Sequence, residues 1–135
     1  MIGLESESAS YGLIHADTNL TNWLFQADRV ALIDFEVCCY GYYLFDVGRL
    51  LHELARDQQH AAALMAAFHR GYTRIHPLPP LQDVRMQAGT LMSLIDIVTW
   101  VCTLEPWMQD AWGAKLAERA VVQIQQMMAQ IPIGA

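Results

Sequence analysis

Positive charge is scarce in this chain: eight Lys plus Arg stand against fourteen Asp plus Glu over 135 residues, for a formal net charge of −6. The eight cations are scattered and form no stripe, whereas binding a phosphate backbone needs clustered cations, so nucleic acid is not an expected partner. The same scarcity argues against docking on an anionic membrane. Cysteine is sparse as well. Cys38, Cys39 and Cys102 are too few for a disulfide framework and lack C-x-x-C or His-Cys spacing for zinc, so a reducing cytoplasm is the expected setting. The start, Met1-Ile2-Gly3-Leu4-Glu5-Ser6-Glu7, has neither a basic n-region nor an apolar h-region, which argues against a secretion signal. Long apolar runs are also lacking. The richest window, Leu91 to Val101, is interrupted by Ser93, Asp96 and Thr99 and reads as too short for a membrane span.

What the chain does have is apolar content: 54% of residues are hydrophobic and only 16% charged, a balance expected of a domain that covers part of its surface by docking. The length suits one domain, residues 1–135, able to bury roughly 68% of its unfolded surface. Residues 1–10 are expected to be flexible. Tyr11 to Ile14 reads as a short strand. Trp23 to Gln26 and Val30 to Ile33 read as strands joined through Ala27-Asp28-Arg29, a hairpin signal, and Tyr40-Gly41-Tyr42-Tyr43 reads as turn-rich. Leu44, Val47, Leu50, Leu51 and Leu54 recur at helical spacing. A second helix is expected over Gln59 to Ile75, stopped by Pro77, Pro79 and Pro80, and a third, buried one from Leu81 to about Leu104, broken at Glu105-Pro106. The last helix spans Asp110 to Ile131, with Trp112, Leu116, Ala120, Val121, Ile124, Met127 and Met128 toward the core.

Chemistry concentrates near the N-terminal end. His15-Ala16-Asp17-Thr18-Asn19-Leu20-Thr21-Asn22 is followed, after the hairpin, by Ile33-Asp34-Phe35-Glu36. Asn22 stands just before one strand and Asp34 just after its antiparallel partner, so the pairing brings both to one edge, where a metal could sit between them. Phosphoryl transfer asks for such a set: oxygen ligands for Mg²⁺ and a carboxylate to orient the attacking hydroxyl.

His-x-Asp-x-x-x-x-Asn, the Ile-Asp-Phe-Glu segment, Gly41-Tyr42 and Phe45-Asp46-Val47-Gly48 together resemble the aminoglycoside phosphotransferase and choline kinase group of small-molecule kinases, over about Tyr11 to Leu54. The resemblance implies an α+β, mainly α fold: a protein kinase-like C-terminal lobe with a short β-hairpin and about four helices. It also implies transfer from ATP, with Mg²⁺, to a small-molecule hydroxyl acceptor. Asp17 would be the base, and Asn22 and Asp34 the metal and nucleotide ligands. His15 and Asp46 would support the site, His15 through a ring bond to backbone and Asp46 by accepting catalytic-loop N–H groups. Glu36 is a secondary candidate for a water-mediated contact. In such kinases a Gly-rich loop and a Lys precede the catalytic loop. Met1 to Ser10 contain neither, so the chain reads as a C-terminal lobe alone, without its N-lobe and inactive or nearly so by itself.

Plainer readings compete. Asp17 could cap a turn, Asn22 could be a turn residue and Asp34 a strand-end cap, but each explains one residue and not the spacing. Glu36 could be a solvated charge and Asp46 an ordinary helix N-terminal carboxylate. His52, His60, His69 and His76 show no ligand spacing, and Trp100, Trp107 and Trp112 read as core. Two departures bear on loop shape: Ala16 stands where the group commonly has Gly, and Asn19-Leu20-Thr21 where it often has His-Pro-Gly. A second class of function therefore stands beside the kinase: a binding or assembly module without turnover, which homodimerises or docks a partner or a separate N-lobe chain.

Overall fold

The computed structural model describes residues 10–103 and 111–130. The expectation of a flexible 1–10, apart from Ser10, the Glu105-Pro106 break and Trp107 lie outside these residues. Four short strands, β1 (Tyr11–Ile14), β2 (Trp23–Gln26), β3 (Arg29–Leu32) and β4 (Cys39–Tyr42), precede four helices, α1 (Tyr43–Leu54), α2 (Ala61–Tyr72), α3 (Val84–Thr103) and α4 (Ala111–Gln130). The fold is α+β and mainly helical. The described residues divide into two compact units between Thr90 and Leu91.

In the first unit the expected hairpin forms, with Trp23 paired to Leu32 and Gln26 to Arg29. Its turn is tighter than expected, because Arg29 joins the ladder and Ala27-Asp28 alone make the loop. The price of that economy is a positive φ of 50° at Ala27, a conformation Gly or Asn adopts more readily. The stretch read as turn-rich is instead strand β4, antiparallel to β1 with Tyr11 opposite Tyr42 and Gly12 opposite Gly41. Gly and Tyr alternate there because one side must be bare: a Cβ on Gly12 would lie 2.1 Å from the Tyr43 hydroxyl, and one on Gly41 2.5 Å from Ile14 Cδ1.

Helix α1 follows β4 directly and buries Val47, Leu50, Leu51 and Leu54 with Met86, the apolar positions at helical spacing. Trp23, Met65, Phe68 and Leu78 pack around them. Gly48 and Gly89 meet backbone to backbone. A Cβ on Gly48 would stand 2.3 Å from the Gly89 carbonyl carbon, and one on Gly89 2.2 Å from the Leu44 oxygen. Helix α2 is shorter than expected. Asp57 organises its approach by accepting from the backbone N–H groups of Gln59 and His60, and His69 Nε2 donates to the Pro79 carbonyl at 2.8 Å, tying the helix to the proline segment.

The second unit is built on Leu94, Ile97 and Ala120, with Val98, Leu116, Ile124 and Met127 beside them. Val121, Met128 and Trp100 are exposed, contrary to expectation; the stripe of α4 is narrower than the count of apolar residues implied. Helix α3 is likewise buried on one face and open on the other, with Met92 and Ile95 exposed. By length and composition it is apolar enough to cross a membrane, which Ser93, Asp96 and Thr99 had seemed to prevent.

Candidate functional site

The loop between β1 and β2 is gripped from one side by α1. Asp46, in the first turn, accepts from His15 N–H through Oδ2 at 2.7 Å and from Ala16 N–H through Oδ1 at 2.8 Å, while its carbonyl accepts from the Thr18 hydroxyl at 2.7 Å. A helix start is a favourable place for a carboxylate. Burial nevertheless outweighs the hydrogen bonds and pushes the Asp46 carboxyl above its ordinary value. The need for this grip is visible at position 16: Ala16 has φ 66°, a left-handed conformation that costs a non-glycine residue about 1 kcal/mol.

His15 is buried beneath the loop. Asp17 N–H donates to Nδ1 at 3.2 Å, so the proton lies on Nε2, which donates to the Ile33 carbonyl at 2.8 Å. The Phe35 ring lies 4.6 Å from the imidazole. His15 therefore links the catalytic-loop candidate to the segment that carries Asp34.

Asp17 is held at both oxygens. Oδ1 accepts from Arg49 Nη2 at 3.0 Å and from Asn19 Nδ2 at 2.7 Å; Oδ2 accepts from Asn22 Nδ2 at 3.0 Å. Asn22 Nδ2 also donates to the Asp17 carbonyl at 2.9 Å. Two acceptors facing one side of the Asn22 amide fix which end is nitrogen. The other end, Oδ1, accepts no hydrogen bond among the described residues. Because no buried side-chain polar atom there lacks a partner, that oxygen is reached from solvent.

Asn22 closes a 3₁₀ turn, Leu20–Asn22, capped by Asn19, whose Oδ1 accepts from Thr21 N–H and from the Thr21 hydroxyl. Its carbonyl accepts from Ile33 N–H at 2.9 Å, one step beyond the last hairpin pair. Asp34 is the next residue, exposed, with φ 64°, a left-handed conformation that Asp tolerates. The carboxylates of Asp34 and Glu36 form no hydrogen bond or ion pair with the described residues.

The structure thus brings His15, Asp17, Asn22 and Asp46 into one hydrogen-bonded network and places Asp34 beside it through the hairpin. Glu36 is not drawn into that network. Arg49 and Asn19 were missed by sequence reasoning. Arg49 looked like one of several polar residues interleaved on an amphipathic helix, though its position one turn after Asp46 was a usable signal, and Asn19 was seen only as a departure from a family pattern. Asn22 Oδ1 and the Asp34 carboxylate are hard oxygen donors of the kind Mg²⁺ takes, in the small number that leaves room for phosphate oxygens and water. No group of three or more His, Cys, Asp or Glu suited to a metal occurs among the described residues.

A family model described as phosphotransferase enzyme family matches residues 4–78. A homoserine kinase of Nitrobacter winogradskyi is 38% identical over 66 residues, an alignment that takes in 44% of this chain and 20% of the kinase. The matched segment thus spans about a fifth of that relative. No solved structure matches the chain.

Proposed function

The chain belongs to that phosphotransferase family, and we propose that it carries the hydroxyl-orienting and cation-binding part of an ATP- and Mg²⁺-dependent phosphotransferase acting on small-molecule hydroxyl acceptors. Asp17 accepts a hydrogen bond from the acceptor hydroxyl and aims its oxygen at the γ-phosphorus. As the new O–P bond forms and the bond to the β-phosphate oxygen breaks, the hydroxyl proton passes to Asp17. Asn22 and Asp34 hold Mg²⁺, which neutralises charge on the phosphate oxygens when bound. His15 and Asp46 keep the loop in shape, and Glu36 is left for a water-mediated contact.

The observation that carries this reading is the division of labour within one side chain. Asn22 gives its side-chain nitrogen to the candidate base and leaves its side-chain oxygen unpartnered among the described residues, while its backbone carbonyl accepts from the residue just before Asp34, so one residue ties the base to the segment that would hold the cation. Positioning supplies much of the catalysis in phosphoryl transfer. Among the described residues none is assigned to clamp the triphosphate, so rapid turnover is expected to need further contacts to it. Homoserine is the first acceptor to try, given the relative's name, followed by aminoglycosides and other cationic alcohols suited to an acidic protein. A cytoplasmic setting fits three free, exposed cysteines.

Isothermal titration with Mg²⁺ and ATP tests the reading. Heat of binding in the wild type that disappears in Asp34→Asn supports it, and no binding in the wild type sinks it. A second reading, the assembly module, is favoured by Leu13, Phe25 and Tyr40, whose apolar side chains are 64%, 72% and 74% exposed on the strands. A stable dimer in light scattering, without nucleotide binding, would select it.

A further inference from the structure

We propose that Arg49 is a positioning residue for the transfer, holding Asp17 so that its one remaining acceptor position, on Oδ2, meets the incoming hydroxyl. The inference rests on the reading of Asp17 as the hydroxyl-orienting group. A carboxylate offers about four acceptor sites, two on each oxygen. Arg49 and Asn19 fill both on Oδ1, and Asn22 takes one on Oδ2. What is left lies on Oδ2, the oxygen already tied to the side chain that serves the cation site.

Arg49 suits this task by where it stands. Asp46 and Arg49 are one turn apart on the same face of α1, so one helix holds the loop backbone at His15 and Ala16 and the carboxylate at Asp17. The Arg49 side chain is only 13% exposed and that of Asp17 29%, which limits the screening that makes surface pairs weak. Asn19 acts beside it as a neutral partner, itself fixed by Thr21. Without the guanidinium, the Asp17 carboxylate is held by Asn19 and Asn22 alone, and the hydrogen bond from Asn22 to Oδ2 is expected to loosen.

The Asn22 side-chain amide therefore reports on Arg49 in the ¹⁵N-labelled full chain. In Arg49→Met, which keeps an apolar stem and drops the charge, hydrogen exchange of the Asn22 amide protons is expected to speed up roughly tenfold while backbone amides of α1 keep their protection. Arg49→Lys, or guanidinium ion added to Arg49→Met, should restore part of the protection. In an Asp17→Ala background, Arg49→Met should change the Asn22 amide no further. Unchanged exchange in Arg49→Met overturns the inference, and so does an equal acceleration throughout α1, which would make Arg49 a packing residue. Titration of the same samples with Mg·ATP judges the phosphotransferase reading separately: a wild type that binds none defeats that reading, while the amide exchange still decides whether Arg49 holds Asp17.

Discussion

The two sides of the candidate site differ in kind. From His15 to Asn22 almost every polar side chain is engaged: Asp46 holds two loop amides, His15 bridges to Ile33, and Asp17 is bonded at both oxygens. From Asp34 to Val37 the side chains are exposed, and the carboxylates of Asp34 and Glu36 have no protein partner among the described residues. The difference teaches where each part obtains its order. The loop that would orient a hydroxyl is set by the fold before any ligand arrives, whereas the edge proposed to hold a cation has its backbone placed by the hairpin and its carboxylates unpartnered among the described residues.

The largest effect that would break this comparison comes from removing the grip on the loop. Asp46→Ala leaves the amides of His15 and Ala16 without their acceptor and is expected to destabilise the chain by about 3 kcal/mol in urea unfolding. Their exchange protection should fall first. Gly48→Ala should cost a similar amount, about 3 kcal/mol, because the new methyl meets Gly89 backbone that cannot turn aside. It would move α1 and hence Asp46 and Arg49 together. A stable Gly48→Ala variant with an intact loop would mean that α1 does not need its seat on Gly89.

Ala16→Gly sharpens the comparison in the other direction. Relief of the left-handed strain should raise stability by about 1 kcal/mol, seen as a higher urea midpoint at unchanged slope. On the open side, Asp34→Asn keeps a residue that tolerates positive φ and should alter stability by less than about 0.5 kcal/mol, while abolishing Mg·ATP binding in the titration described above. A large loss of stability there would show that Asp34 is as structural as Asp46.

The smallest effect is a pH slope. The Asp46 carboxyl is raised by burial, so the folded chain holds that proton more tightly than the unfolded one. Its contribution to stability is fully present below its ordinary value of 3.8 and declines as pH rises through the folded value. Asp57, lowered by the His60 N–H, and Asp83, lowered by the Arg85 side chain, run oppositely: their contributions are present above 3.8 and are lost as pH falls through their folded values. Replacing Asp46 by Asn should therefore remove the decline on the rising side and leave the acid side unchanged, as measured by urea midpoints across that range.

Much of this was legible in the residue pattern, for identifiable reasons. The apolar stripe of α1 and the hairpin appeared at their proper periods, and the family match rests on the segment that carries His15, Asp17, Asn22 and Asp34. Strand β4 was not legible, because Tyr40-Gly41-Tyr42 has turn composition. Its pairing depends on β1, nearly thirty residues earlier in the chain, and no local signal reports that. The exposed Val121, Met128 and Trp100 show the matching weakness for helices: apolar residues mark a stripe but not its width. Arg49 escaped for a third reason. An arginine on a helix looks alike whether it meets water or the carboxylate of a loop thirty-two residues away.

The two-residue turn at Ala27-Asp28 has a bearing on how this scaffold tolerates change. The spacing between Asn22 and Asp34 is fixed at the foot of the hairpin, by the Trp23–Leu32 pair and the bond from Ile33 to Asn22, and not at its tip. Lengthening the two strands in step, or enlarging the turn, would extend the hairpin outward without moving its foot. The tip is therefore a place where length can drift, or where a tag or a recognition loop can be grafted, while the chemistry keeps its dimensions.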